Sequence, residues 1–227
     1  MGRLANPQSE WTFELLGGSL CLDFINTVSG KRVTRPIERL HQYADLLSWS
    51  RQVGISTAAE CRELLALSLA RPQEAASTFQ ESIKLREALF RIFTAVAQRR
   101  EPASADLQLL NTLLARSLGH QRLATSSGRF SLEWFRTERE LDCVLWPIVK
   151  SAADLLTSEE TSRIRICEAT STDGCGWLFL DETRNRTRRW CSMKDCGNRA
   201  KARRHYRRHR TEAASASQIS FAKKTEG

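Results

Sequence analysis

The chain has 227 residues, with 35 lysine or arginine and 26 aspartate or glutamate side chains, and its formal net charge is +9. This length allows one domain of about 150 residues and a smaller module. Because no apolar run approaches the roughly 18 residues of a membrane-spanning helix, and the first residues lack a signal peptide's apolar core, we expect a cytoplasmic protein with no membrane partner.

The N-terminal segment combines a polar start with one short helical pattern. Residues 1–10 are predicted to be a disordered lead-in, and residues 11–16 to be a short strand that stops at Gly17-Gly18. Ser19 is suited to cap the helix that follows. The apolar stripe of this helix, at helical spacing, consists of Cys21, Phe24, Ile25 and Val28.

Helical periodicity then continues to residue 116. A polar, basic loop is predicted at 30–35, and Pro36 suits the first turn of the next helix. The sequence TAAE at 57–60 has the form of a capping box, which marks a helix start. We predict four helices here, at 36–53, 57–69, 72–99 and 104–116.

The apolar period changes at residue 121. Segments 121–125 and 129–135 flank Ser126-Ser127-Gly128, which predicts a β-hairpin. A second capping box, TERE at 137–140, precedes a helix to about residue 156 that Pro147 is expected to kink. Residues 11–158 are therefore predicted to form a mainly helical domain with a small β-hairpin, within an α+β chain.

Four cysteines in the C-terminal part form two pairs, Cys167 with Cys175 and Cys191 with Cys196. Short strands are predicted at 163–166 and 177–180, and a helix begins near Lys194. Thiolates are soft ligands, and four of them close a tetrahedral zinc site without an open position. We therefore predict a treble-clef zinc finger at 160–210 with one structural Zn²⁺. The odd number of cysteines without an export signal argues against a disulfide framework.

Two alternatives to this ligand set exist. Cys191, Cys196, His205 and His209 resemble a two-Cys, two-His finger, but that module places about 12 residues between its second cysteine and its first histidine. On a continuous helix, His205 would lie about 13.5 Å along the axis from Cys196, too far for a shared metal. The other alternative is that the cysteines are core thiols without a metal.

Several stretches resemble known families. The finger region is similar to the CGNR-type zinc finger of bacterial regulators at CGWLFLD (175–181), RRWCSM (188–193) and CGNRAK (196–201). The N-terminal part resembles the companion ABATE domain at Gly17-Gly18, LCLDFINT (20–27) and YADLL (43–47). Seven residues separate Cys167 from Cys175, a longer spacing than is usual in that family. The resemblance implies a stress-induced transcriptional regulator that binds DNA and has a sensing or regulatory N-terminal domain.

The excess of positive charge is confined to the finger region. Residues 163–210 contain 14 lysines or arginines and 5 acidic residues, so their net charge of +9 equals that of the whole chain. Such a patch indicates a polyanionic partner, with DNA as the first candidate, and a place at the nucleoid. The predicted contacts are Arg184, Arg186, Arg188, Arg189, Arg199, Lys201, Arg203, Arg204, Arg207 and Arg208. Arg199, Arg203 and Arg207 share a helix face that could enter a groove, and the first four would contact the backbone.

Other functions remain open at this point. RNA could bind through phosphate contacts and stacking on Tyr206 or Trp190, or the helix could be a solvated basic helix without a dedicated partner. No nucleophile–base constellation is visible, so we do not expect an enzyme.

The N-terminal domain could also bind a ligand. A small-molecule effector could bind near Asp23, Asn26, Arg35 and Arg86, which could equally be caps and buried hydrogen bonds of a strand-to-helix turn. A homodimer is expected of a regulator, although no symmetric patch is visible in the sequence. Residues 211–227 are predicted to be a disordered tail.

Overall fold

The structure is a computed structural model that describes residues 12–135 and 140–210. Its α-helices are α1 (Leu20–Ile25), α2 (Tyr43–Gln52), α3 (Ala58–Ala70), α4 (Pro72–Ala97), α5 (Ser104–Leu118), α6 (Trp146–Thr157), α7 (Thr170–Asp173) and α8 (198–210). Three antiparallel hairpins are formed by β1 (Ser29–Lys31) with β2 (Arg35–Ile37), β3 (Gln121–Ser126) with β4 (Arg129–Trp134), and β5 (Ile164–Ile166) with β6 (Leu178–Leu180). Short 3₁₀ helices precede α6 and β5, and a π-helical turn (Met193–Gly197) leads into α8. The fold is α+β and mainly helical, as predicted.

The hydrophobic core lies around α4, the longest helix. Leu85, Leu89 and Phe93 recur on one face of α4 at helical spacing, and all three are fully buried. The short helix α1 packs beside α4, with the ring of Phe24 5.2 Å from that of Trp49 in α2. The main core is thus assembled largely from helices, and the β5–β6 hairpin adds buried side chains to it.

Local sequence signals predicted several of these elements correctly. In the capping box before α3, the Glu60 N–H donates to Thr57 Oγ1 at 3.2 Å and the Thr57 N–H donates to Glu60 Oε2 at 2.7 Å. Helix α4 begins at Pro72, and the hairpin β3–β4 follows the predicted segments. These signals act within a few residues, so they do not depend on the rest of the fold.

Four local predictions were wrong. Residues 12–16 form no strand, because the Phe13 N–H and carbonyl bond to the side chain of Gln52 instead of a partner strand. Pro36 lies in β2 and not in a helix, and the predicted loop at 30–35 belongs largely to the β1–β2 hairpin. Pro147 does not kink α6 but lies in its first turn, where its missing N–H needs no partner.

Some predictions lie outside the described residues. These are the disordered lead-in predicted at 1–10, residues 137–139 of the second predicted capping box, and the disordered tail predicted at 211–227. Within the described parts of the chain, no helix is both long and apolar enough to cross a membrane.

The cysteine-rich module packs directly against the helical part. Ile164 of β5 and Leu178 and Leu180 of β6 belong to the same buried cluster as α1 and α4. The tip of the β1–β2 hairpin reaches the loop before β6, where the Arg32 N–H donates to the Cys175 carbonyl at 3.2 Å. Gly176 permits this approach, since it has a φ of +75° and an added Cβ would lie 2.9 Å from the Arg32 Cβ. The two sequence modules therefore share a core and a network of backbone hydrogen bonds.

Candidate metal centre and nucleic-acid interface

Four cysteines converge from separate segments of the C-terminal module. Cys167 follows β5, Cys175 precedes β6, Cys191 ends the connection after β6, and Cys196 lies in the π-helical turn. Each is at most 4% exposed. Antiparallel pairing of β5 with β6 brings the first two together, and the 181–190 connection returns the chain to place the second two beside them.

The distances between the sulfurs fit a single metal ion. The Sγ atoms of Cys175, Cys191 and Cys196 are 3.6–3.7 Å apart, and all four Sγ atoms lie within 4.8 Å of one another. A tetrahedron with metal–sulfur bonds of about 2.3 Å has edges of about 3.8 Å. All seven cysteines are unbridged, so disulfides do not explain the cluster. Four soft, closely spaced sulfurs form a structural site for one Zn²⁺, as predicted.

The electrostatics of the cluster also favour a bound cation. Hydrogen bonds from Cys175 and the other two thiols lower the pKa of Cys167, whereas contact with the ionised Cys167 raises the pKa of Cys175 and of Cys191. Four thiolates at these distances cannot all carry a negative charge without a compensating ion. A divalent metal removes this conflict because it binds all four as thiolates.

The rival ligand set does not assemble. His205 and His209 are exposed on α8, and their Nε2 atoms lie 3.0 Å from each other instead of facing the sulfurs. The remaining cysteines lie in or against the helical core, where burial raises the pKa of Cys21 to about 11. They pack as small side chains among the apolar residues of the core.

Two residues that hold the cysteine-bearing loops in place, Asp181 and Arg188, were not predicted to have a structural role. The Asp181 carboxylate is fully buried and accepts hydrogen bonds from the Thr183 N–H, the Thr183 hydroxyl and the Arg188 N–H. The Arg188 guanidinium donates to the carbonyls of Leu16 and Cys191 and lies 4.3 Å from the centre of the Phe179 ring. Arg188, predicted as a DNA contact, thus ties the metal loop to the N-terminal segment. The acidic pair Asp181-Glu182 directly after an apolar strand was the available signal.

The predicted nucleic-acid contacts divide into two groups. Arg199 donates to the Cys196 sulfur at 3.0 Å, and Arg203 forms an ion pair with Asp173, so both bond to their own module. Arg189 pairs with Glu168. The other exposed residues among the predicted contacts, on α8 or in the 181–190 connection, are Arg184, Arg186, Lys201, Arg204, Arg207 and Arg208.

The four residues of the predicted ligand site have separate roles. Asp23 accepts the Gly17 N–H at 2.8 Å, and Asn26 bonds to the backbone of Leu178. Arg86 is buried against Thr27 and Glu38, while Arg35 is exposed on β2. The hydrogen bonds of the first three match caps and buried bonds of the fold, and an effector stays a prediction.

Comparison with known families agrees with this architecture. The ABATE family model, described as "Putative stress-induced transcription regulator", matches residues 18–159, and the model of the CGNR zinc finger matches residues 163–209. No curated protein matches the sequence. The first match covers more than half of the chain, and the second contains all four clustered cysteines. The chain therefore belongs to the ABATE family and carries a CGNR zinc finger as its C-terminal module.

Proposed function

We propose that this protein regulates transcription by binding double-stranded DNA through α8 and the neighbouring 181–190 connection. The observation that carries the proposal is the location of the charge. The net charge of +9 resides in residues 163–210, and the remaining residues are balanced. A charge of one sign on one module attracts a polyanion and accelerates the encounter with it.

The position of the metal centre supports this role. Cys196 lies in the turn that begins the basic helix, and Ser192 caps this turn by accepting the Asp195 N–H at 3.2 Å. A metal bound there fixes the direction of α8 relative to the rest of the protein. The exposed arginines of α8 are then presented on a rigid support, which reduces the entropy lost when they bind phosphates.

Structured RNA is the second candidate partner. Tyr206 is 71% exposed on α8, and an exposed aromatic ring can stack on an unpaired base. Phosphate contacts from the same arginines would serve either nucleic acid. Duplex DNA and structured RNA differ in groove geometry and in the presence of unpaired bases. A competition experiment between them therefore identifies the partner.

The affinity of zinc-loaded full-length protein for a DNA duplex, measured by fluorescence anisotropy over a series of salt concentrations, tests the proposal. We expect binding at low salt and a steep loss with added salt, since each neutralised phosphate releases counterions. Absence of binding at low salt, or a flat salt response, contradicts the proposal. If structured RNA displaces the duplex at much lower concentration, RNA is the partner.

Two further partners stay predictions. A homodimer would place two basic helices on one DNA site, and light scattering of the zinc-loaded protein measures it directly. An effector bound to the N-terminal part would raise the unfolding temperature, which a thermal-shift screen with metabolites detects. DNA binding would place the protein at the nucleoid, in the cytoplasm.

A further inference from the structure

We infer that a cleft beside α8 seats one phosphate group of the nucleic-acid backbone, an inference that rests on the proposed function. The cleft has a volume of about 330 Å³. It lies between residues 168–172 at the start of α7, the indole of Trp190 and one face of α8. We call it the arginine cleft, because four of its lining residues are Arg189, Arg203, Arg204 and Arg207.

The spacing along α8 explains why these side chains meet. Ala200, Arg203, Arg204 and Arg207 are separated by three, one and three positions, which places them on one helix face. Ala200 is small, so it leaves room at the base of the cleft. Lys201 and Arg208, seven positions apart, do not line the cleft. The basic helix therefore has a cleft face and an outer face, a division that its charge alone does not predict.

Two of the arginines are held in place by acidic partners. Arg203 forms an ion pair with Asp173 and donates to the Thr172 hydroxyl at 2.9 Å. Arg189 pairs with Glu168, and its guanidinium lies 5.0 Å from the centre of the Trp190 ring. These contacts fix a guanidinium on each wall before any ligand binds. Fixed donors lose less side-chain entropy on binding than mobile ones do.

The net positive charge of the arginine cleft favours an anion. Four arginines line the cleft and two carboxylates contact them, Glu168 and Asp173, which gives a formal charge of +2. Arg204 and Arg207 are exposed, so a ligand in solvent can reach them. The tetrahedral oxygens of a phosphate can accept hydrogen bonds from both walls, and the planar arginine fork donates two at once. The half-buried indole of Trp190 offers an apolar wall for the adjoining sugar.

A comparison of two double variants tests the cleft. Arg204→Gln with Arg207→Gln removes two charges from the cleft face, and Lys201→Gln with Arg208→Gln removes two from the outer face of the same helix. Both are made in the full-length, zinc-loaded protein, and duplex affinity is measured across salt concentrations. We expect the cleft variant to lose about tenfold more affinity than the outer variant, and its salt slope to fall by about one, the value for one lost phosphate contact.

The outcomes separate this inference from the proposed function. If wild type binds the duplex but both variants lose the same affinity, the cleft has no specific role and the inference is overturned, while DNA binding stands. If wild type does not bind at low salt, both proposals fail. Zinc content and unfolding temperature must match wild type in both variants. These positions are exposed, so we expect both to fold.

Duplexes with and without terminal phosphates show whether the cleft binds a backbone phosphodiester or a terminal phosphate. Oligonucleotides without terminal phosphates offer only backbone phosphodiesters, and a greater loss by the cleft variant on such a duplex supports the inference. If the difference between the variants appears only with 5′-phosphorylated duplex, the cleft binds a terminal phosphate and the backbone assignment is wrong.

Discussion

Asn26 and Leu178, which are 152 positions apart, exchange two hydrogen bonds in the interior of the protein. The Asn26 side-chain amide donates to the Leu178 carbonyl at 2.8 Å, and the Leu178 N–H donates to the Asn26 side-chain oxygen at 3.2 Å. Asn26 ends α1 in the ABATE part, and Leu178 begins β6 of the zinc finger. The Asn26 side chain thus provides hydrogen-bond partners for the backbone of a strand in the other module. The stabilities of the two modules are therefore coupled.

The first prediction concerns this pair. Asn26→Ala should lower the free energy of unfolding by about 3 kcal/mol, because it leaves the buried N–H and carbonyl of Leu178 without these partners. Urea denaturation of the zinc-loaded protein measures the loss. Asn111→Ala, at an exposed position of α5, is the control and should change stability by less than about 0.5 kcal/mol. Equal effects of the two substitutions would refute a structural role for the pair.

The second prediction concerns the metal ligand that has the unusual spacing. Cys167→Ser should abolish stoichiometric zinc, because it removes one of four sulfurs that lie within 4.8 Å of one another. Cys61→Ser should retain zinc, since Cys61 lies against the helical core. Elemental analysis of both purified variants measures the metal. Wild-type zinc content in Cys167→Ser would show that three cysteines suffice.

The third prediction is that metal removal loosens the helical part as well. The Trp177 indole N–H donates to the Val28 carbonyl at 2.8 Å, and the Leu180 N–H donates to the Gly17 carbonyl at 2.7 Å. A strong chelator should therefore accelerate hydrogen exchange in 20–28 as well as in 163–197, as mass spectrometry would detect. Segment 104–118 in α5 is the internal control. Unchanged protection of 20–28 would mean that the modules fold independently.

The fourth prediction concerns an ion pair in which only the arginine is buried. The Arg86 side chain is 2% exposed and pairs with Glu38, which is 36% exposed. Although burial raises it, hydrogen bonds from Arg86 hold the pKa of Glu38 below its usual value. Arg86→Leu should cost about 3 kcal/mol, the lower end for a broken buried pair, because the carboxylate retains access to water. Arg71→Gln, which breaks a pair exposed on both sides, should cost less than about 1 kcal/mol. Calorimetry of both variants provides the comparison.

The fifth prediction is a pH dependence that arises from Asp23. Burial raises the pKa of Asp23 from 3.8 to about 6, although its hydrogen bond from Gly17 opposes the shift. The folded protein therefore binds a proton more tightly than the unfolded chain does, and this stabilisation is lost as the pH rises from about 4 to about 6. Asp23→Asn keeps an oxygen for Gly17 but cannot ionise. The unfolding temperature of wild type relative to this variant should fall across that range, and a constant difference would contradict the shifted pKa.

Patterns that act over a few residues predicted much of the fold. The helical periodicity of 72–99, the Thr57 capping box and the Ser126-Ser127-Gly128 turn each depend on neighbours in the chain, and the structure confirms all three. The four cysteines were predicted as a metal site from their chemistry and their pairing. Arg188, in contrast, was predicted as a DNA contact, because its bonds to the distant Leu16 leave no mark in the local pattern.

By itself, the sequence determined the helical periodicity, the sulfur ligands and the concentration of positive charge in the last module. The tertiary structure decided that the β1–β2 hairpin contacts the zinc loop, that Asn26 bonds to β6, and that Arg203 faces Asp173. The physical reason is the distance along the chain over which each property acts. Helix periodicity and charge are properties of neighbouring residues, whereas a buried polar group or an ion pair is satisfied by whichever partner the folded chain brings within about 3 Å.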